Sequence, residues 1–340
     1  MVLFLAFLFL KSTGILSTIV SHINNSISSL NSTNYNDINI TLNNTVIPIN
    51  NENITQLDNY SLSLINKDRA KYGLKPVVLS ELSSAQQHAE SMLNNSYFSH
   101  WDLYGMKPYM RYTLLGGNGS MQENIAVEKS ALCSNTNCVG NINVTKAIAS
   151  MEYSMMYNDS ICCNNGHRDN ILNPSHNYVN IGVAFNSSTV YFVEDFTNNY
   201  ITWSKGSPSY LNTGGVYLFG NLTSGLSIQD IYVSYDKLIN YTSSSVPSGP
   251  YSFGTSVAGI VPQSNYYYPN LTTIIANYYY TKGSSFKINF AIKSLIKKYG
   301  PGVYTIITQI KNNTTGSVFM GSDYSIFINS SYQSYIPKNV

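Results

Sequence analysis

After Trp203 the hydrophobic pattern of this chain changes period, and no single layer of secondary structure can accommodate both halves. Upstream, Leu57, Tyr60 and Leu64 fall near helical spacing and predict a first helix that Gly73 stops. Leu82, Ala85, Ala89 and Met92 line one face of a second helix over about 80–95, and residues 146–157 predict a third. Residues 178–185 (YVNIGVAF) and 190–196 (VYFVEDF) alternate about a short polar turn and predict an antiparallel hairpin. Downstream, strand follows strand over 216–219, 228–235, 271–280, 286–292, 302–310 and 318–328. Between the halves, residues 204–215 (SKGSPSYLNTGG) collect Gly, Ser and Pro. The expected organisation is therefore a mixed unit over 56–203, a linker over 204–215 and an all-β, immunoglobulin-like sandwich over 216–335.

Composition narrows the function. Of 340 residues 43% are hydrophobic but only 11% charged, under half the usual share of about 25%. The net charge of +2, from 19 basic and 17 acidic side chains, offers no footprint for a phosphate backbone and excludes nucleic acid as a partner. Asn, Ser and Thr supply the missing polarity in repeated Asn-x-Ser/Thr sequons, among them Asn24, Asn31, Asn39, Asn43, Asn53, Asn118, Asn143, Asn158, Asn186, Asn221, Asn240, Asn270, Asn313 and Asn329. Each is a glycan acceptor if the chain is exported. Val2 to Leu10 (VLFLAFLFL) supports export: residues 1–20 read as a signal peptide or membrane anchor, with Lys11 interrupting a run that needs about 20 apolar residues to span a bilayer. Residues 21–55 read as an Asn/Ser/Thr-rich, glycosylated spacer. The expected location is secreted or cell-surface, with membrane attachment through the N-terminus as an option.

Cys133, Cys138, Cys162 and Cys163 make an even count, which in an exported chain predicts disulfides with three pairings to choose from. The adjacency of Cys162 and Cys163 does not suit a four-thiolate zinc site. Direct bridging of these neighbours strains the peptide, so cross-links from Cys133 and Cys138 to Cys162 and Cys163 are expected.

The sequence contains no Gly-x-Ser-x-Gly elbow, P-loop, Rossmann glycine triplet or His-Glu-x-x-His. Its five histidines are then informative. His22 lies in the spacer, His88 in the second helix and His176 in a loop behind Pro174, which leaves His100 (Tyr97-Phe98-Ser99-His100) and His167 (Asn165-Gly166-His167-Arg168).

Several blocks occur in an order that resembles a known family: Ile65-Asn66-Lys67-Asp68-Arg69, Tyr72-Gly73-Leu74, His88-Ala89, Phe98-Ser99-His100, Glu123-Asn124-Ile125-Ala126, Gly166-His167-Arg168-Asp169-Asn170-Ile171-Leu172 and Ile181-Gly182-Val183. Over about residues 57–200 the chain is similar to the CAP superfamily (SCP-like; cysteine-rich secretory, antigen 5 and pathogenesis-related proteins) in its prokaryotic form. The resemblance implies an α+β fold, an α-β-α sandwich with a cleft lined by two His and two acidic residues. By motif these are His100, Glu123 and His167, with Glu152 as the fourth; there Met151 stands where the family often has Trp. Helical phase puts Glu152 on the face of Ile148, Met155 and Met156.

Two neutral imidazoles at one point can hold a divalent metal, zinc foremost, while Glu123 and Glu152 fix their tautomers. Without metal the same groups form a coupled acid–base cluster. The resemblance implies an extracellular or cell-envelope binding module whose ligand is a lipid, glycan or protein. A metal-assisted hydrolase or peptidase and a structural surface glycoprotein are the alternatives. No activated nucleophile is evident, because Ser99 adjoins His100 and neighbouring residues rarely reach each other.

Overall fold

The computed structural model describes residues 51–130, 132–134, 137–139, 142–263 and 265–328. The expected leader or anchor, most of the spacer with its sequons, Asn329, and the side chains of Cys133 and Cys138 lie outside the described residues. Among the described residues no helix is long and apolar enough to cross a membrane.

The first unit opens with α1 (Asn51–Lys71), followed by β1 (Val78–Leu79), α2 (Ser84–Asn95), α3 (Pro108–Leu114), β2 (Ser120–Lys129), β3 (Leu132–Ser134) and β4 (Asn137–Val139). It continues through α4 (Val144–Tyr157), α5 (Ser160–Cys163), α6 (Gly166–Ile171), β5 (Tyr178–Phe185) and β6 (Thr189–Asn198). Four strands form a sheet in the order β1-β5-β6-β2, antiparallel except for the short β1–β5 pair. Strand alternation splits β6 between two layers. Val190, Phe192 and Phe196 pack with Leu57, Leu64 and Ile65 of α1 and Ile148, Met151 and Met155 of α4. Tyr191 and Val193 pack on the other face with Ala85, Ala89 and Met92 of α2. The result is the expected α-β-α sandwich.

Two contacts fix the helices closely. At Gly182 in β5 a Cβ would collide with the Ala85 carbonyl, so only glycine lets α2 lie this near the sheet. At the end of α1 the fully buried Arg69 donates to the carbonyls of Lys75 (3.0 Å), Ile171 (2.7 Å), Asn173 (3.0 Å) and His176 (3.2 Å). That guanidinium moors the chain that leaves α6, the helix carrying His167.

The second unit comprises β7 (Ile201–Trp203), β8 (Ser209–Tyr210), β9 (Gly215–Leu222), β10 (Leu226–Asp236), β11 (Thr255–Val261), β12 (Thr272–Ile275), β13 (Tyr278–Lys282), β14 (Ser285–Ala291), α7 (Lys293–Tyr299), β15 (Gly302–Asn312) and β16 (Val318–Ile328). One sheet runs β12-β11-β10-β15-β16 and the other β13-β14-β9-β7, with β8 also paired to β9. Their facing side chains, among them Val216, Leu218, Ile231, Val233, Phe286, Phe290, Tyr304 and Ile306, make one core. The two-sheet sandwich is thus present, with a parallel pair at β11–β12.

Three sequence expectations change. Residues 271–280 are not one strand: β12 and β13 join different sheets, the chain crossing from one to the other at Ala276 and Asn277. The boundary shifts, because Ile201–Trp203 pairs with β9 and so belongs to the sandwich. Nor is 204–215 a free linker, since Ser209 and Tyr210 pair with Tyr217 and Val216.

The two units also share a buried seam. Met106, Tyr109, Met110, Tyr112 and Met121 of the first pack with Val303, Tyr251, Phe253 and Phe327 of the second. Asp323 of β16, wholly buried, accepts from the Met121 amide (2.9 Å) and the Ser120 hydroxyl (3.1 Å) through Oδ2. The Trp203 indole donates to the Asn118 carbonyl at 3.1 Å. From the end of β10, residues 237–254 run back across the first unit: Asp236 takes Lys107 Nζ (2.7 Å) and the Tyr109 hydroxyl (2.8 Å), and the Tyr241 amide donates to the Leu103 carbonyl at 2.7 Å.

Asp323→Ala strips partners from a buried amide and hydroxyl, a loss of about 1–3 kcal/mol. Because that loss sits in the seam, full-chain calorimetry should show one transition, displaced downward by about 2–4 °C per kcal/mol. Two separate transitions, of which only the sandwich's moves, would show that the units unfold independently.

Candidate functional site

A cleft of about 1060 Å³ opens between the units. Its first-unit wall includes Phe98, His100, Glu123, Ile125, Cys162, Cys163 and His167; Tyr251, Phe253, Phe319 and Met320 of the second unit close the other side. The two histidines picked out in the sequence therefore share one cavity, and each is held by a carboxylate through Nδ1.

His100 follows the end of α2 in an extended turn. Its Nδ1 lies 2.9 Å from Glu123 Oε1. The second oxygen of Glu123 accepts from Arg111 Nη2 at 2.8 Å, and Arg111 Nη1 donates to the carbonyls of His100 and Met106, both at 2.8 Å. The Glu123 amide donates to the Tyr251 hydroxyl at 2.9 Å, and the Tyr251 ring lies 4.9 Å from that of His100. Burial pushes the Glu123 carboxyl up to about 7, outweighing the pull of Arg111. Burial, with the charges of His167 and Arg111, lowers His100 to about 3, so its imidazole stays neutral. Asp195, directly opposite Glu123 across the β2–β6 ladder, takes the Ser84 hydroxyl at 2.5 Å. Burial and the neighbouring Glu123 charge hold Asp195 well above the usual carboxylate range.

His167 sits in the first turn of α6. Its Nδ1 lies 2.6 Å from Asp159 Oδ1, while Asp159 Oδ2 accepts from the amides of His167 (2.8 Å) and Arg168 (3.2 Å). Burial works against the Asp159 charge, but the bonds from His167 and those two amides prevail and lower its pKa. An ionised Asp159 draws the proton of His167 to Nδ1, and Glu123 does the same for His100 when it is ionised, above about 7; each ring then keeps an Nε2 lone pair. Among the described residues the hydrogen bonds of both rings run through Nδ1. Imidazole nitrogens of this kind are donors that a divalent ion of the zinc type accepts.

Glu152 is the correction. It is buried in α4 and is not part of the cleft wall. Its neighbour is Glu194 of β6, and burial followed by the Glu194 charge pushes its carboxyl well above the ordinary range. Asn124 Nδ2 separates this pair from the histidine, donating to Glu194 Oε2 (3.1 Å) and to the His167 carbonyl (3.2 Å). Glu152 does share its face with Ile148, Met155 and Met156, but that face looks into the core rather than toward His167. Asp159, eight residues before His167, holds the position instead.

The cysteine pairing also differs from expectation. Cys162 and Cys163 are bonded to each other, so neither cross-links to Cys133 or Cys138, whose backbones pair with one another across β3 and β4. The other two described histidines are packing residues, His22 lying outside the described residues: His88 lies 2.8 Å from the Ser99 carbonyl through Nε2, and His176 stacks on Phe196 between Asn170 and Asn198.

Glu152→Gln tests the assignment of the buried pair. A carboxyl whose folded pKa is raised stabilises fully below its unfolded value near 4.5 and loses that stability as pH rises toward the folded value. The amide cannot ionise, so the variant should match wild type near pH 4.5 and melt at an equal or higher temperature at pH 8. A lower melting temperature at pH 8 would mean that Glu152 acts as a needed charge.

Residues 62–196 match the cysteine-rich secretory protein (CAP) family. An extracellular protein containing an SCP domain from Bacillus anthracis str. Ames aligns at 19% identity over 45% of this chain and 45% of that one, with a TM-score of 0.30. The CAP domain of Enterococcal PrgA aligns at 13% identity over 44% of this chain and 64% of that one, with a TM-score of 0.32. Both alignments therefore cover less than two thirds of the relative. No curated protein matches. Residues 62–196 of this chain are a CAP-family domain.

Proposed function

We propose that this chain is an exported binding module of the cell envelope or extracellular space, whose cleft holds a divalent metal on His100 and His167 as part of its ligand site. The observation that carries the reading is the matched pair of carboxylate-bound imidazoles, Glu123 on His100 at 2.9 Å and Asp159 on His167 at 2.6 Å, lining one cavity. When bound, the metal supplies a Lewis-acidic anchor. The chain supplies neutral Nε2 donors and an apolar surround of Phe98, Ile125, Phe253 and Phe319, which suits a ligand with an anionic head and an apolar body. Export is supported by the disulfide at Cys162 and Cys163 and by the exposure of the sequon residues Asn158, Asn186, Asn221, Asn270 and Asn313. The hydrolase alternative gains nothing from Ser99, whose hydroxyl donates to the Pro247 carbonyl at 2.6 Å.

Isothermal titration of zinc into the full chain tests the reading. His100→Ala and His167→Ala should each abolish binding, and Glu123→Gln and Asp159→Asn should each weaken it by about 10–100-fold. With His100 lowered to about 3, acidification from pH 7 to 5 leaves that ligand neutral. Equal binding in wild type and the His100→Ala protein, or none in either, overturns the metal site.

A further inference from the structure

Cys162 and Cys163 end the short helix α5, are joined to each other, and lie on the cleft wall beside His167. Ligand atoms of Asp159, Cys162, Cys163 and His167 all lie within 4.8 Å of one another. Zn–S bonds of about 2.3 Å place two ligand atoms of a tetrahedral site about 4 Å apart, so the four side chains are gathered closely enough to surround an ion once the S–S bond and the Asp159–His167 hydrogen bond open. Asp159 is buried, Cys163 and His167 are half-buried and Cys162 is exposed, so the sulfurs are open to a small reductant.

We propose that the Cys162–Cys163 disulfide is a redox latch on a second metal site: when an external dithiol opens it, the two thiolates, with His167 and Asp159, bind a thiophilic divalent ion such as zinc. The exchange balances. The dithiol closes to its own disulfide and gives up two electrons and two protons; the Cys162–Cys163 S–S bond breaks and both sulfurs become thiols. Metal binding then releases one proton from each thiol. While the bond is closed the sulfurs carry no charge, and a disulfide is a poor ligand for zinc beside a thiolate. His100 takes no part, and this separates the latch from the two-histidine site: oxidised protein would present His167 toward His100, reduced protein toward the sulfurs.

The test uses the full chain with Cys133→Ser and Cys138→Ser, leaving the vicinal pair as the sole thiol source. Protein reduced with dithiothreitol, freed of it by gel filtration under nitrogen, and titrated with cobalt(II) should develop a near-ultraviolet sulfur-to-cobalt charge-transfer band. Oxidised protein should show no such band, and zinc should bleach it. Adding Cys162→Ser and Cys163→Ser should abolish the band and His167→Ala should weaken cobalt binding, while His100→Ala should leave it unchanged. A failed two-histidine site would show as lost zinc binding in the oxidised protein with this band intact. If the Cys133/Cys138 variant does not fold, reduced wild type is compared with Cys162→Ser/Cys163→Ser. No band on reduction, a band that survives loss of both vicinal cysteines, or one indifferent to His167→Ala would overturn the latch.

Discussion

One buried guanidinium organises the chemistry of this molecule. Arg111, on α3, holds the Glu123 carboxylate with one arm and the backbone carbonyls of His100 and Met106 with the other. Remove it and Glu123, already raised by burial and faced by Asp195, loses the guanidinium bonded to its Oε2. The carboxylate would then be protonated or drawn away, and His100 would lose the acceptor that sets its tautomer. A buried ion pair of this sort adds little net stability over an apolar replacement, but breaking it by removing one partner is costly. The same helix packs its apolar side against the sandwich, so the residue that orders the site is anchored by the junction between the units.

That junction changes the meaning of the second unit. The sandwich is not merely appended: the segment after β10 brings Tyr251 over His100, and β16 brings Phe319 and Met320 to the opposite wall. The tyrosine hydroxyl receives the Glu123 amide, so the sandwich contributes both surface and a hydrogen bond to the neighbourhood of a CAP-family residue. The lining of the cleft in this chain is therefore set partly by residues outside 62–196.

Much of this was legible in the sequence. The hairpin of β5 and β6 followed from alternation alone, and His100, Glu123 and His167 stood within contiguous blocks. Asp159 did not, because it lies in an aperiodic loop and resembles any helix-capping aspartate until folding brings His167 beside it. Tyr251 was beyond reach for a simpler reason: it meets Glu123 across 128 residues of chain, and neither segment encodes the other's position. Glu152 misled because helical phase states which residues share a face and not what that face meets. The strand β11 and the helix α7 carry weak sequence signals, because Gly259 interrupts one apolar run and α7 is only seven residues, about two turns, between strands.

The ladder between β2 and β6 places Glu123 opposite Asp195 and Asn124 opposite Glu194, successive pairs that point to opposite faces of the sheet. A slip of one residue would exchange those faces. Glu123 would be driven in among Met151 and Met155 while Ile125 abandoned the layer under α2. The greasy residues on either side of each acid thus act as a proofreader. Only the alignment that buries them sets Glu123 beside His100, so correct collapse of the core and assembly of the cleft wall are one event.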